Sequence, residues 1–267
     1  MMNNFVISLK STQDRRNHIL EQFGKEGIPF QFFDAITPDL NQVISKELKI
    51  NILQADLTQG EIACFLSHAS IWKMMIEKKL SYVVIFEDDI YLGKEVLDFL
   101  SSIDVLDLNF DIIKLESFFN RIEVDPNFKL KLANRNIYKL QSMNLGAAGY
   151  IISLEAAKKI FLDLNVLDKI VAVDHYLFEN LLNFNFFNIY MVEPSICKQD
   201  FLLNNANQNF KSSLEKARAN RLGFNPNKIE TIKKKICFYE KIWRELSRPF
   251  RKLKNSRSKN ILFSNFK

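Results

Sequence analysis

The sequence predicts an α/β sandwich with a mostly parallel central sheet, on three observations. Short apolar, β-rich runs alternate with segments of helical period through most of the first 195 residues. One run, Tyr82-Val-Val-Ile-Phe86, is continuously apolar, as a strand covered on both faces must be. It stops abruptly at three acids, Glu87-Asp88-Asp89, and sheets of this class bind ligands beyond the carboxyl ends of their strands.

The elements follow in order. Asn4 to Leu9 reads as a buried N-terminal strand. Ser11 or Thr12 caps a helix running to Gly24, with the glycine as stop signal. Pro29 to Phe33 is a second strand ending at Asp34, and residues 38 to 57 read as helical. Thr58-Gln-Gly-Glu61 is a capping box opening a helix to about Lys79, with Ile62, Phe65, Leu66, Ala69, Trp72 and Met75 on one face. After Phe86, Asp111 to Leu115 is a strand, and residues 117 to 135 are irregular or form a hairpin. Ile137 to Leu140 and Ala147 to Ser153 are further strands. Leu154 to Leu164 is a helix, Val173 to Leu182 another, and Phe186 to Val192 a strand before Pro194.

A chain of 267 residues accommodates one such domain and an appendage. The division expected is residues 1–205 for the sandwich and 206–267 for a basic helical extension. From Lys228 to Lys267 there are 13 Lys or Arg against 3 Asp or Glu, a surplus of 10, so the rest carries −4 of the chain's +6. In the tail Ile229, Ile232, Ile236, Tyr239, Trp243, Leu246, Phe250 and Leu253 form a helical apolar stripe with basic residues between them. That pattern suits an anionic membrane surface, and equally packing on the body or pairing in a homodimer. Nucleic acid fits less well, because the charge is confined to the tail of an acidic body.

Three cysteines, Cys64, Cys197 and Cys237, form no C-x-x-C pair, which argues against a disulfide framework and a cysteine zinc site. No window approaches about 18 apolar residues, and the start lacks the basic and apolar regions of a secretory signal. The expectation is a cytoplasmic protein held peripherally at the inner face of the cytoplasmic membrane.

Adjacent carboxylates after a buried strand disfavour one another's ionisation. A divalent cation such as Mn²⁺ or Mg²⁺ resolves that conflict and neutralises a departing diphosphate. The bland alternative is a solvated loop capping the next helix. Arg15 and Arg16 either grip a diphosphate bidentately or form a solvated first helical turn. Asp34 either accepts from a nucleoside or initiates a turn. Gln59 and Glu61 lie at a helix N-terminus that can hold an anion, unless the capping box itself satisfies those donors. Gly146 and Gly149 either allow close backbone approach to a ligand or make a tight turn into a strand. His68 is either a packed or hydrogen-bonded helical histidine or a catalyst. Asp174, beside a helix start, is first choice for a general base. Helix N-cap is its alternative role, and His175 is either a second base candidate or a metal ligand.

Six blocks in order resemble glycosyltransferase family 25, the lipooligosaccharide galactosyltransferase-like family. They are Phe5-Val-Ile-Ser-Leu9 with Arg15-Arg16; Phe33-Asp-Ala-Ile36; Leu57-Thr-Gln-Gly-Glu-Ile-Ala-Cys-Phe-Leu-Ser-His68 with Trp72; Ile85-Phe-Glu-Asp-Asp89; Gly146-Ala-Ala-Gly-Tyr-Ile-Ile-Ser153; and Val173-Asp-His175. The resemblance spans about residues 5 to 200 and implies a GT-A-like fold, a UDP-sugar donor, commonly UDP-galactose, a divalent metal and β linkage to a lipooligosaccharide acceptor. By it, Asp89 holds the metal, and Glu87 and Asp88 support the metal or the donor. Ser8, Leu9, Arg15, Arg16, Asp34, Gln59, Glu61, His68, Gly146 and Gly149 line the donor site. Two other classes compete. A catalytically silent membrane-docked module predicts no UDP affinity, and a metal phosphohydrolase predicts phosphate release without acceptor.

Overall fold

The computed structural model describes residues 3–119, 121–184, 186–204, 208–210 and 260–266. The apolar stripe from 229 to 253 and Cys237 lie outside these residues, as does the expected division at 205/206.

Strands β1 (Asn4–Ser8), β2 (Gln31–Asp34), β3 (Tyr82–Glu87), β5 (Ile112–Lys114), β6 (Arg121–Leu132), β7 (Arg135–Leu140), β8 (Gly149–Ser153), β9 (Ile189–Glu193) and β11 (Asn260–Phe263) form one sheet. Its order is β11-β6-β7-β9-β5-β8-β3-β1-β2. Two three-residue strands, β4 (Ile90–Leu92) and β10 (Cys197–Gln199), pair antiparallel in a separate ribbon.

The sheet is mixed, which corrects the expectation of a mostly parallel one. Only β1 with β2, β1 with β3, and β5 with β9 run parallel. Strand β8 enters antiparallel between β3 and β5, and β6, β7 and β11 extend the far side as an antiparallel set. Apolar strands read alike in either direction, so strand patterning does not report β8's orientation.

Helices cover both faces. Helices α2 (Asn41–Leu48), α3 (Gln59–Glu77) and α5 (Leu154–Leu164) pack on one side, and α1 (Gln13–Glu26) and α4 (Val96–Ser101) on the other. Strand β3 shows why its sequence is continuously apolar. Val83 and Ile85 join the α3 core with Phe65 and Trp72, while Val84 and Phe86 join the α1 core with Ile19 and Phe23. Burial of each such side chain stabilises by about 1.5–3 kcal/mol before conformational entropy is charged.

The capping box forms as read: Glu61 N–H donates to Thr58 Oγ1 (3.2 Å), and Thr58 N–H donates to Glu61 Oε2 (2.8 Å). Thr58→Ala is expected to cost about 1 kcal/mol, checked by the urea midpoint; an unchanged midpoint would contradict a capping role. Helix α5 has the expected bounds.

Other boundaries differ. Helix α1 passes through Gly24 and ends at Gly27, whose φ of 65° is the left-handed cap. Only 38–40 (one 3₁₀ turn) and 41–48 of residues 38–57 are helical, because Lys49 takes φ 58° and closes α2. The segment expected as a helix over 173–182 is one turn, α6 (Val173–His175), followed by a π turn over 176–180 and a 3₁₀ turn over 181–183. Residues 121–132 form the long first arm of a hairpin with β7. The last described residues also join the body, since β11 pairs with β6 and Ser195 N–H donates to Asn265 O at 2.9 Å.

Candidate active site

The register of β2, β1 and β3 sets Ser8 beside Asp34 and Ile7 beside Glu87. The carboxyl ends of three parallel strands thus meet where the acids follow β3. Strand β5 points the same way and delivers Lys114, Leu115 and Glu116 to this end. The antiparallel β8 starts there, at Gly146 to Gly149.

The three acids have distinct surroundings. Asp88 is buried and held by protein: Ser8 Oγ donates to Oδ2 at 2.7 Å, Thr12 Oγ1 lies 3.4 Å from the same oxygen, and Arg15 donates to Oδ1 at 2.6 Å. Burial works against the Arg15 charge, but Asp88, Asp89 and Glu87 outweigh it and raise its pKa. Asp89 takes no such partner. Its backbone carbonyl accepts from Asp200 N–H at 2.8 Å, while its Oδ1 is buried without a hydrogen bond. Burial, with Glu87 next, pushes its pKa up to about 8 despite Arg15. Glu87 lies between two elements: Oε2 is 3.4 Å from Gln199 Nε2, and Oε1 is 3.4 Å from His68 Nε2 and 4.0 Å from Cys64 Sγ.

Behind the acids lies a charged pair that strand reading passed over. Lys114 and Glu116 are both 0% exposed. Lys114 Nζ donates to Gly146 O, lies 3.5 Å from Glu116 Oε1 and sits 4.0 Å above the Phe178 ring. Glu116 Oε1 accepts from Ala148 N–H at 2.6 Å, and Oε2 is buried without a hydrogen bond. Burial lowers the Lys114 pKa and raises that of Glu116, each opposed by its partner. Gly146 is required: its φ is +86°, and an added Cβ would lie 2.6 Å from Glu116 Oε1. A Cβ on Gly149 would lie 2.3 Å from Cys197 Sγ.

Asp174 reaches the same place from α6. Ala172 is the helix N-cap, and Asp174 Oδ2 lies 3.5 Å from Gly146 N while its Oδ1 accepts from His175 N–H at 3.0 Å. It is half-buried, and its charge is felt by Lys114 and His68. His175 pairs instead with Glu179 at 2.6 Å and lines a groove of about 270 Å³ with Asp56, Lys169 and Asn180.

The remaining predicted residues take varied places. Arg16 donates to Asp34 at 2.6 Å and to Ser8 O at 3.0 Å, and Lys10 also pairs with Asp34. The Arg16 and Lys10 hydrogen bonds lower the Asp34 pKa. Leu9 O accepts from Thr12 N–H at 3.1 Å and from Thr12 Oγ1 at 2.9 Å. Glu61 is 2% exposed and serves the capping box, and exposed Gln59 accepts from Asn41. His68 is 0% exposed, with Nδ1 2.8 Å from Tyr150 Oη. Burial lowers its pKa to about 3, so the ring is neutral.

The donor set fits a hard divalent cation. Carboxylate oxygens are its preferred ligands, and the unpartnered Asp89 Oδ1 sits among like charges that a cation would relieve. Asp89 and Glu87 are the residues that would hold it. Asp88, engaged by Ser8 and Arg15, braces the loop.

A family model described as glycosyltransferase family 25 (LPS biosynthesis protein) matches residues 1–177. The chain belongs to glycosyltransferase family 25. Relatives of this family include the lacto-N-neotetraose biosynthesis glycosyltransferase LgtE of Neisseria meningitidis serogroup B, 40% identical over 208 residues, covering 74% of each chain. The lipooligosaccharide biosynthesis protein lic2B of Haemophilus influenzae is 39% identical over 224 residues, covering 80% of this chain and 82% of that one. The lipooligosaccharide biosynthesis protein lex-1 of Haemophilus influenzae is 32% identical, covering 92% and 91%. Among solved structures, a glycosyltransferase involved in the glycosylation of the major capsid of PBCV-1 aligns at TM-score 0.30 and 12% identity, over 63% of this chain and 68% of that one; so weak a likeness carries no argument. Among the described residues, no helix of this family 25 chain is long and apolar enough to cross a membrane.

Proposed function

We propose that this family 25 glycosyltransferase is a metal-dependent, inverting enzyme with a GT-A-like fold. It moves galactose from UDP-galactose, in β linkage, onto a terminal sugar of lipooligosaccharide. The observation that carries this reading is the convergence of two acidic groups at one end of the sheet. Asp89, with its unpartnered buried oxygen, feels the charge of Glu116, which accepts from Ala148 N–H, and half-buried Asp174 lies 3.5 Å from Gly146 N in the same turn. The names of the relatives support an oligosaccharide acceptor, and the family resemblance supports the donor.

The protein's own residues divide the work. Arg15, Ser8 and Thr12 hold Asp88 and so fix the loop that presents Asp89. A divalent ion at Asp89 and Glu87, when bound, supplies positive charge for a diphosphate leaving group. Gly146 and Gly149 leave room for Glu116 and Cys197 and so set the turn that borders the donor sugar. Asp174 takes the proton of the acceptor hydroxyl as that oxygen attacks the anomeric carbon from the face opposite the diphosphate. The groove beside His175 and Glu179 receives the acceptor. The basic extension holds the enzyme at the inner face of the cytoplasmic membrane.

Asp174→Asn tests the base. It is expected to lower kcat by about 10²–10⁴-fold with UDP affinity unchanged, measured by transfer kinetics and calorimetry. A variant with wild-type kcat would remove Asp174 from the mechanism.

A further inference from the structure

Cys64 and His68 stand one turn apart on α3, and the carboxylate ending β3 meets them. Cys64 Sγ, His68 Nε2 and a Glu87 oxygen all lie within 4.8 Å of one another. The linear spacing of the cysteines hid this group, because its third member comes from another element.

Three features suit this group to holding a metal ion. The first is the buried His68 Nε2, which has no hydrogen bond and is aimed at Glu87 Oε1, 3.4 Å away. The second is geometry. Around a tetrahedral zinc ion, ordinary bond lengths put N and O ligands about 3.4 Å apart and S and O ligands about 3.6 Å apart. The observed N-to-O separation is 3.4 Å and the S-to-O separation 4.0 Å, and all three donor atoms lie within 4.8 Å of one another. The third is the support of the imidazole. Its other nitrogen, Nδ1, lies 2.8 Å from Tyr150 Oη, which in turn accepts from Trp72 Nε1–H at 3.0 Å. A histidine ligand is characteristically oriented by such a partner on its second nitrogen.

We propose that Cys64, His68 and Glu87 bind a divalent ion of the thiolate–imidazole class, Zn²⁺ above all, at a site that shares only Glu87 with the oxygen site of Asp89. Three protein ligands leave a fourth position for water. Sulfur and nitrogen donors select zinc or cobalt over Mg²⁺ or Mn²⁺. Binding releases the thiol proton to solvent as the thiolate forms. The binding stands independently of the catalytic reading. Its consequence rests on that reading: zinc would hold Glu87 away from the Asp89 ion, so Zn²⁺ would inhibit transfer that Mn²⁺ supports.

The test is titration of the purified full-length protein with Co²⁺, followed by absorption, and with Zn²⁺ against a chromophoric chelator. One equivalent of Co²⁺ is expected to give the intense visible bands of a tetrahedral ion and a sulfur-to-cobalt charge-transfer band. Cys64→Ser is expected to abolish that band with an unchanged circular dichroism spectrum. Tyr150→Phe is expected to weaken zinc binding by about 10–100-fold. Asp89→Asn is expected to keep both metals bound, even if it kills transfer, which separates this site from the catalytic one. A charge-transfer band that survives Cys64→Ser, or a weak octahedral cobalt spectrum in the wild type, would overturn the proposal.

Discussion

Asp89→Asn is expected to lower sugar transfer by about a thousandfold, the scale on which removing a charge-stabilising group from a transition state acts. The substitution keeps the shape of the side chain and leaves the Asp200 N–H bond to the residue 89 carbonyl in place. It removes the negative charge of the carboxylate whose Oδ1 no protein group satisfies. Stability should move the other way. In the folded chain the Asp89 carboxyl titrates at about 8, against an ordinary 3.8. Between those values the folded state keeps a proton that the unfolded chain has released, so the metal-free fold loses stability as pH rises. The Asn variant has no such loss. Its metal-free Tm at pH 8 should match or exceed that of the wild type, while its activity with Mn²⁺ collapses. A variant that transfers sugar at the wild-type rate would contradict the assignment of the metal to Asp89.

Lys114→Met carries the largest expected effect on stability. The ammonium is fully buried, compensates Glu116, and ties β5 to Gly146 O. Removing it leaves a buried carboxylate with one oxygen already unpartnered, and breaking a buried pair in this way costs about 3–5 kcal/mol. Glu116→Gln in the same chain should recover part of that loss, because the stranded charge is gone. Denaturant midpoints of the two variants and the wild type measure both effects. A loss under about 1 kcal/mol for Lys114→Met would mean that the pair is not ionised as described.

What the sequence made legible was local. The apolar run of β3, the Thr58/Glu61 box and the bounds of α5 depend on neighbours within a few positions, and all three appear in the structure. The cluster of acids at the end of β3 was legible for the same reason. What stayed hidden was set by distant contacts. Asp88 reads as one more acid until β1 brings Ser8 to within 2.7 Å, 80 positions away in the chain. Lys114 and Glu116 alternate with apolar residues, so they read as the outward face of a half-exposed strand. Only the sheet order, with β5 central, shows them to be buried. Lys49 closes α2 in a left-handed conformation without the glycine that would have announced it. The β4–β10 ribbon, which brings Gln199 and Asp200 over the acids, rests on two strands of three residues each. A charged residue inside an otherwise apolar run, as in Asp111-Ile-Ile-Lys-Leu-Glu116, was the one available signal for the missed pair.

The central claim is metal-dependent transfer from a UDP-sugar, and UDP release tests it most directly. The full-length protein is incubated with UDP-galactose and Mn²⁺, with and without EDTA, and with simple glucosides and N-acetylglucosaminides as acceptors. The account predicts release that rises with acceptor, stops with EDTA and is absent in Asp89→Asn. Release that persists in EDTA and in Asp89→Asn alike would contradict it.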